Sequence, residues 1–188
     1  MKISSVLGYA LLGLISQQPL SGYDVKKIFA TTPMAGFSDS PGAIYPALQR
    51  LEKVGLVRSD VKQMTGLRQR RVFRITPKGL ASLKAWMAKP IAEEDVVRRV
   101  AELMLRFAFM DQTLGAESSV KFLREFQEKL AGYIPSLHEY LELHTAALPI
   151  SGRLALESGI GEYEARLEWA KKAIVQYGRK RREQCICE

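Results

Sequence analysis

Residues 40–79 read SPGAIYPALQRLEKVGLVRSDVKQMTGLRQRRVFRITPKG and place a one-sided helix, a basic hairpin and a second capped helix in immediate succession. At 100° per residue, Ile44, Ala47, Leu48, Leu51 and Val54 fall on one face, and Gly42, Tyr45, Pro46, Gln49 and Lys53 fall opposite. Pro46 is compatible with a helix that starts near Gly42, because the first four N–H groups of a helix have no intrahelical acceptor. Gly55 is placed to stop it. Two strands are expected over 56–63 and 68–75, joined by a turn at 64–67 in which Gly66 supplies the positive φ. Thr76 then caps a new helix, with Pro77 at its first position. This is the layout of a winged helix-turn-helix, in which one helix can enter a DNA major groove while the hairpin presents cations to the phosphates.

Charge is distributed to match. The chain of 188 residues carries 28 Lys+Arg and 20 Asp+Glu, a net +8. Residues 1–89 hold 14 basic and 4 acidic groups, whereas residues 90–188 hold 14 and 16. The excess therefore lies in the half that contains the hairpin. A polyanion-binding surface needs that bias, since each neutralised phosphate releases condensed counterions.

Upstream, residues 3–17 place Ile3, Val6, Leu7, Ala10, Leu11 and Leu14 on a core-facing helical stripe. The apolar run VLGYALLGLI is shorter than the ~20 residues that span a bilayer, and no A-x-A-like cleavage site follows it. Gln18-Pro19 ends this helix. Ser21 and Asp24 form a capping box for the next, which is expected to run to Thr31 with Val25, Ile28 and Phe29 inward. Residues 32–39 read as a loop.

Composition changes after Lys89-Pro90, so two domains are expected, 1–89 and 90–188. In the second, helices are expected over 93–110, 116–143 and 151–177. Val96, Val97, Val100, Met104 and Phe107 face inward from the first of these. Leu123, Phe126, Leu130, Ile134, Leu137 and Leu141 do so from the next, and Leu154, Ile160, Tyr163, Leu167, Ala170 and Ile174 from the last. Pro135 should kink or break its helix. Gly159 and Gly161 invite the close approach of another helix. The predicted class is mainly α with a small β-hairpin wing: a winged helix-turn-helix followed by an α-helical dimerisation domain.

No catalytic constellation is present, so an enzyme is not expected, nor is a cofactor. His138 and His144 are six residues apart on one helix, which does not pair them on a metal. Cys185 and Cys187 are too close for a structural disulfide, and no further cysteine completes a metal site. The lack of a disulfide framework fits the cytoplasm.

Double-stranded DNA is the expected partner. Tyr45, Gln49 and Lys53 can reach base edges or phosphates from the helix, with Ser40 and Gly42 at its approach. On the hairpin, Lys62, Arg68 and Arg70 lie nearest the tip. A charged edge that merely discourages aggregation explains one or two such cations and not this density. Trp86, Phe107, Phe126 and Trp169 are candidates to line a pocket for a small aromatic effector, although aromatics at helical spacing more often build a core.

Five stretches together carry a resemblance: GYALLGL (8–14), PLSGYDV (19–25), GAIYPALQRLE (42–52), GLV (55–57) and TPKG (76–79). In these the chain resembles the PadR-like transcriptional regulators, closely over 3–88. The helical half is similar, more loosely, to the C-terminal α-domain of the longer, virulence-activator type, chiefly in GIGEYEA (159–165) leading to Trp169. The resemblance implies a homodimeric bacterial regulator, joined through its C-terminal helices, that binds a palindromic operator and is released by small aromatic ligands. It implies a repressor, as many members are, with an activator of the virulence-activator type as the alternative; the aromatic residues separately leave open a ligand-sensing scaffold whose DNA contact is secondary. Family members often carry Thr where this chain has Ala43, so the chain lacks that hydroxyl for a phosphate or capping contact.

Overall fold

The computed structural model describes residues 5–38, 41–63 and 69–186, which form two compact units, 1–89 and 90–188. The first begins with α1 (Val6–Gln17), whose Ser5 hydroxyl accepts the Gly8 N–H. This helix is apolar on nearly every side and is correspondingly buried: Leu7, Ala10, Leu11, Leu12, Leu14 and Ile15 all lie in the core. Each such leucine contributes roughly 2 kcal/mol by leaving water. Tyr9 stacks on Trp86, with ring centroids 4.4 Å apart. Ile3, expected in this helix, lies outside the described residues.

Leu20–Ser21 forms a short strand, β1, that sequence reasoning leaves out. Two residues have no periodicity to read; they become a strand only because Leu20 pairs with Phe73 and Ser21 with Val72. Helix α2 (Gly22–Thr31) then starts from the expected capping box, with the Ser21 N–H donating to Asp24 at 2.9 Å and the Asp24 N–H to Ser21 Oγ at 3.3 Å. The stretch expected as a loop contains a 3-10 turn at Pro33–Phe37.

A further 3-10 turn (Pro41–Ala43) leads into α3 (Ile44–Lys53). Pro46 is its third residue, where the missing N–H costs no intrahelical bond. Gly55, at φ +74°, ends it in a Schellman motif: the Leu56 N–H reaches the Leu51 carbonyl and the Gly55 N–H that of Glu52, both at 2.9 Å. Strands β2 (Val57–Gln63) and β3 (Gln69–Ile75) pair antiparallel from Val57↔Ile75 to Gln63↔Gln69, giving the sheet order β1-β3-β2. The turn expected at 64–67 lies outside the described residues. Helix α4 (Pro77–Met87) starts at the Thr76 cap, whose hydroxyl accepts the Gly79 N–H at 3.0 Å.

The second unit is all helical: α5 (Glu93–Arg98), α6 (Val100–Leu114), α7 (Ala116–His144) and α8 (Ile150–Ile186). The single helix expected over 93–110 is in fact two, interrupted at Arg99, where φ is −132° and ψ 27°. The interruption shifts the helical phase. Leu103, Leu105, Phe109 and Met110 are the buried apolar residues of α6, while Val97, expected inward, is exposed. Gly115, at φ +86°, turns the chain from α6 into α7. Helix α7 continues through Pro135 without a break and buries Phe122, Leu123, Phe126, Leu130 and Ile134. Helix α8 packs back on α7 through Ile160, Ala170 and Ala173, and runs nine residues past its expected end. Leu154, expected inward, is exposed. No described atom lies within 4 Å of a Cβ built at Gly159 or Gly161, so the close helix approach expected there does not occur among the described residues.

Candidate nucleic-acid interface

Helix α3 hides Ile44, Ala47, Leu48 and Leu51 and turns Tyr45, Pro46, Gln49 and Lys53 to solvent, with Gly42 exposed in the 3-10 turn before it. The division follows directly from the 3.6-residue period, because α1 and α2 pack on the apolar stripe. Tyr45 is 49% exposed and its hydroxyl makes no hydrogen bond among the described residues. Gln49 and Lys53 extend the same polar face by one and two turns. The face thus offers one phenol, one amide and one ammonium, with proline and glycine occupying the rest. At Ala43 the helix has no side-chain cap, in keeping with the hydroxyl missing from that position.

Beside the face stands the β2–β3 hairpin, which brings Lys62 and Arg70 to paired positions. Ser40 and Arg68 lie outside the described residues, as do the side chains of Lys62 and Arg70.

Two other wing arginines are engaged within the unit. Arg71 reaches from β3 to Glu52 on α3 and to Ser59 on β2, at 2.5 and 2.7 Å, and Ser59 in turn donates to Glu52 at 2.5 Å. The Ser59 hydroxyl, and Arg71 after it, hold the Glu52 carboxyl below its ordinary pKa against the opposing effect of burial. Such a half-exposed pair is worth up to about 1 kcal/mol. Its main consequence is geometric, since it ties the wing to the end of α3. Arg74 pairs with Asp60 at 3.2 Å. Arg71 and Arg74 are therefore struts of the hairpin.

Sequence reasoning passed over Tyr23, which is 66% exposed in the first turn of α2. Its position directly after the Ser21-Gly22 start of a capped helix was the available signal. The Glu52–Arg71 tie spans nineteen residues and has no local signature.

The four aromatic candidates divide between the units. Trp86 belongs to the first, buried against Tyr9. In the second, Phe107 stacks on Phe122 at 5.9 Å and meets Trp169 edge to face at 5.5 Å, while Phe126 is fully buried beside Phe122. A groove of about 580 Å³ between α5 and α7 is lined instead by Glu93, Val97, Glu128, Lys129 and Tyr133, among others, and by none of the four. His138 contacts Glu164 at 2.9 Å and His144 the Tyr140 carbonyl at 2.8 Å. Among the described residues there is no cluster of metal-ligating side chains and no helix long and apolar enough to cross a membrane.

A hairpin wing on a three-stranded sheet, beside a helix with an exposed polar face and in a unit this basic, defines a winged-helix DNA-binding protein. Residues 11–85 match the model of the transcriptional regulator PadR-like family. The chain is 27% identical over 146 residues to the negative transcriptional regulator PadR of Bacillus subtilis, covering 78% of this chain and 79% of that protein. It is 50% identical over 48 residues to the transcriptional regulator Rv3488 of Mycobacterium tuberculosis, covering 26% of this chain and 44% of that one. Among solved structures, Bacillus subtilis PadR in complex with operator DNA aligns at a TM-score of 0.44 and 22% identity, over 92% of this chain and 99% of that one. Through residues 11–85 the first unit is similar to the PadR-like transcriptional regulators, a family of transcriptional regulators.

Proposed function

We propose that this regulator acts in the cytoplasm as a homodimeric repressor, two copies gripping a palindromic operator and silencing the promoter that contains it. The observation that carries this reading is the exposed Tyr45-Gln49-Lys53 face of α3 beside the basic hairpin. Two such faces would read half-sites about one helical turn, ~34 Å, apart. Repression is supported by the negative regulator of Bacillus subtilis that the chain matches over most of its length. Dimerisation through the second unit is supported by the apolar side chains that unit leaves in solvent: Leu143, Ile150, Leu154 and Val175 are each at least half exposed.

The wing assignment is tested by Arg68→Ala together with Arg70→Ala, in a gel shift on duplex fragments selected by the unmutated protein. Each lost phosphate contact removes about 0.9 from the slope of log affinity against log salt. The double variant should therefore bind at least about tenfold more weakly at low salt, with a slope shallower by about 2. Equal binding and an equal slope would refute the wing's role.

Release by a planar aromatic ligand is the remaining part of the proposal. It is supported by the Phe107–Trp169 contact, since Trp169 is 38% exposed and open to a further ring. Planar aromatic acids should quench the fluorescence of the protein and free it from the operator, and Trp169→Phe should abolish the quenching. No quenching across a broad panel would remove the aromatic effector from the mechanism.

A further inference from the structure

Gly22 is the first residue of α2, directly after the Ser21 cap. Its φ is not in the left-handed region, so the backbone places no demand for glycine here. Helix propensity favours alanine over glycine at helical positions. What excludes a side chain is Tyr45. A Cβ built on Gly22 would overlap Tyr45 Cε1 and stand 2.8 Å from Cζ and 3.1 Å from Cδ1. The Tyr45 ring therefore lies directly over the buried start of α2, with 49% of the residue still exposed and its hydroxyl free of hydrogen bonds among the described residues. At Gly36 and Gly55 a Cβ would meet nothing within 4 Å, and at Gly79 it would meet the Leu56 backbone and Ile75 instead of a ring.

We infer that Gly22 is a positioning residue for DNA recognition: its missing side chain forms the seat that fixes the Tyr45 ring before DNA arrives. The role rests on the reading of the α3 face as the DNA surface and adds to it a residue that touches no DNA. A ring held between α2 and solvent reaches the duplex from one direction. A ring displaced from the seat rotates about χ1 and loses that orientation. Fixing a side chain in its bound rotamer spares the ordering cost of association, so the effect falls on operator preference. Non-specific attraction comes from the wing cations and is independent of the seat.

The test measures affinity for two duplexes at one salt concentration, one selected by the unmutated protein from a random library and one of scrambled sequence. Gly22→Ala is expected to lower affinity for the selected duplex about tenfold while leaving the scrambled duplex within twofold and the salt slope unchanged. Tyr45→Ala should lose at least as much, and the double variant no more than Tyr45→Ala alone, because the two changes remove one arrangement. The inference is overturned if Gly22→Ala binds the selected duplex normally, or if its loss adds in full to that of Tyr45→Ala. It is overturned as well if Tyr45→Ala is neutral, and in that case the wing variants still report separately on the DNA reading. Should Gly22→Ala lower the thermal midpoint, adding Tyr45→Ala is expected to restore it, and failure to do so would exclude the contact.

Discussion

Gly79→Ala is expected to destabilise the first unit by about 3 kcal/mol or more, the upper end of what overpacking costs and beyond. Gly79 is the third residue of α4, and a Cβ there would overlap the Leu56 carbonyl oxygen and stand 2.9 Å from the carbonyl carbon. The obstacle is backbone, which cannot swing aside as a side-chain tip can. The same Leu56 carbonyl accepts the Thr76 N–H at 3.0 Å and the Thr76 hydroxyl at 3.1 Å. The Leu56 N–H closes the Schellman motif of α3. Three element ends therefore meet at one peptide: the stop of α3, the entry to β2 and the cap of α4. Relieving the overlap means lifting α4 away and breaking the cap, which adds a further ~1 kcal/mol. For a unit of this size 1 kcal/mol corresponds to roughly 4–8 °C in Tm, so the variant should melt more than about 12 °C lower by circular dichroism. A shift of under about 3 °C would show that the junction is not close packed.

What the sequence made legible in this region is what neighbouring residues decide among themselves. The Ser21–Asp24 box, the Gly55 stop and the Thr76-Pro77 start each act within a few residues, and all stand where their chemistry places them. The polar face of α3 was legible for the same reason, since the helical period alone separates Tyr45 and Gln49 from Ile44 and Leu48. Strand β1 was not, because Leu20 and Ser21 take their conformation from partners more than fifty residues away. Neither was the interruption at Arg99, where no proline or glycine marks the change of phase. The Glu52–Arg71 tie and the seat of Tyr45 on Gly22 are tertiary, and a one-dimensional pattern holds no trace of them. Aromatics at helical spacing read equally as core or as a pocket lining: Trp86 and Phe126 are core, whereas Phe107 is half-buried against a Trp169 that stays partly exposed.

Residues 1–89 produced alone should fold and yet bind the selected operator at least about a hundredfold more weakly than the full chain. Folding is expected because the unit has its own core: α1 is enclosed by α3, α4 and β3, with Leu11, Leu48 and Leu83 wholly buried. Weak binding is expected because each copy offers so little that reads sequence. The exposed face of α3 contributes Tyr45, Gln49 and Lys53, while Gly42 and Pro46 have no side-chain hydrogen-bonding group with which to read a base. A good bidentate base contact discriminates by about 1–3 kcal/mol; the single Tyr45 hydroxyl cannot make one, so Gln49 and Lys53 together give about 2–6 kcal/mol against the ~4–10 kcal/mol that separates specific from non-specific binding. In the homodimer proposed above, the second copy supplies the difference. When residues 90–188 hold two copies together, the second half-site is met at an effective concentration near millimolar, which raises affinity 10²–10⁴-fold without a new contact. Removing the helical unit removes that gain and leaves the wing cations untouched, so binding to scrambled duplex should fall far less than binding to operator. Fluorescence anisotropy of both proteins on both duplexes at one salt concentration measures the difference. Equal operator affinity for the short and full chains would mean that one winged helix reads its site unaided and that the second unit serves another purpose.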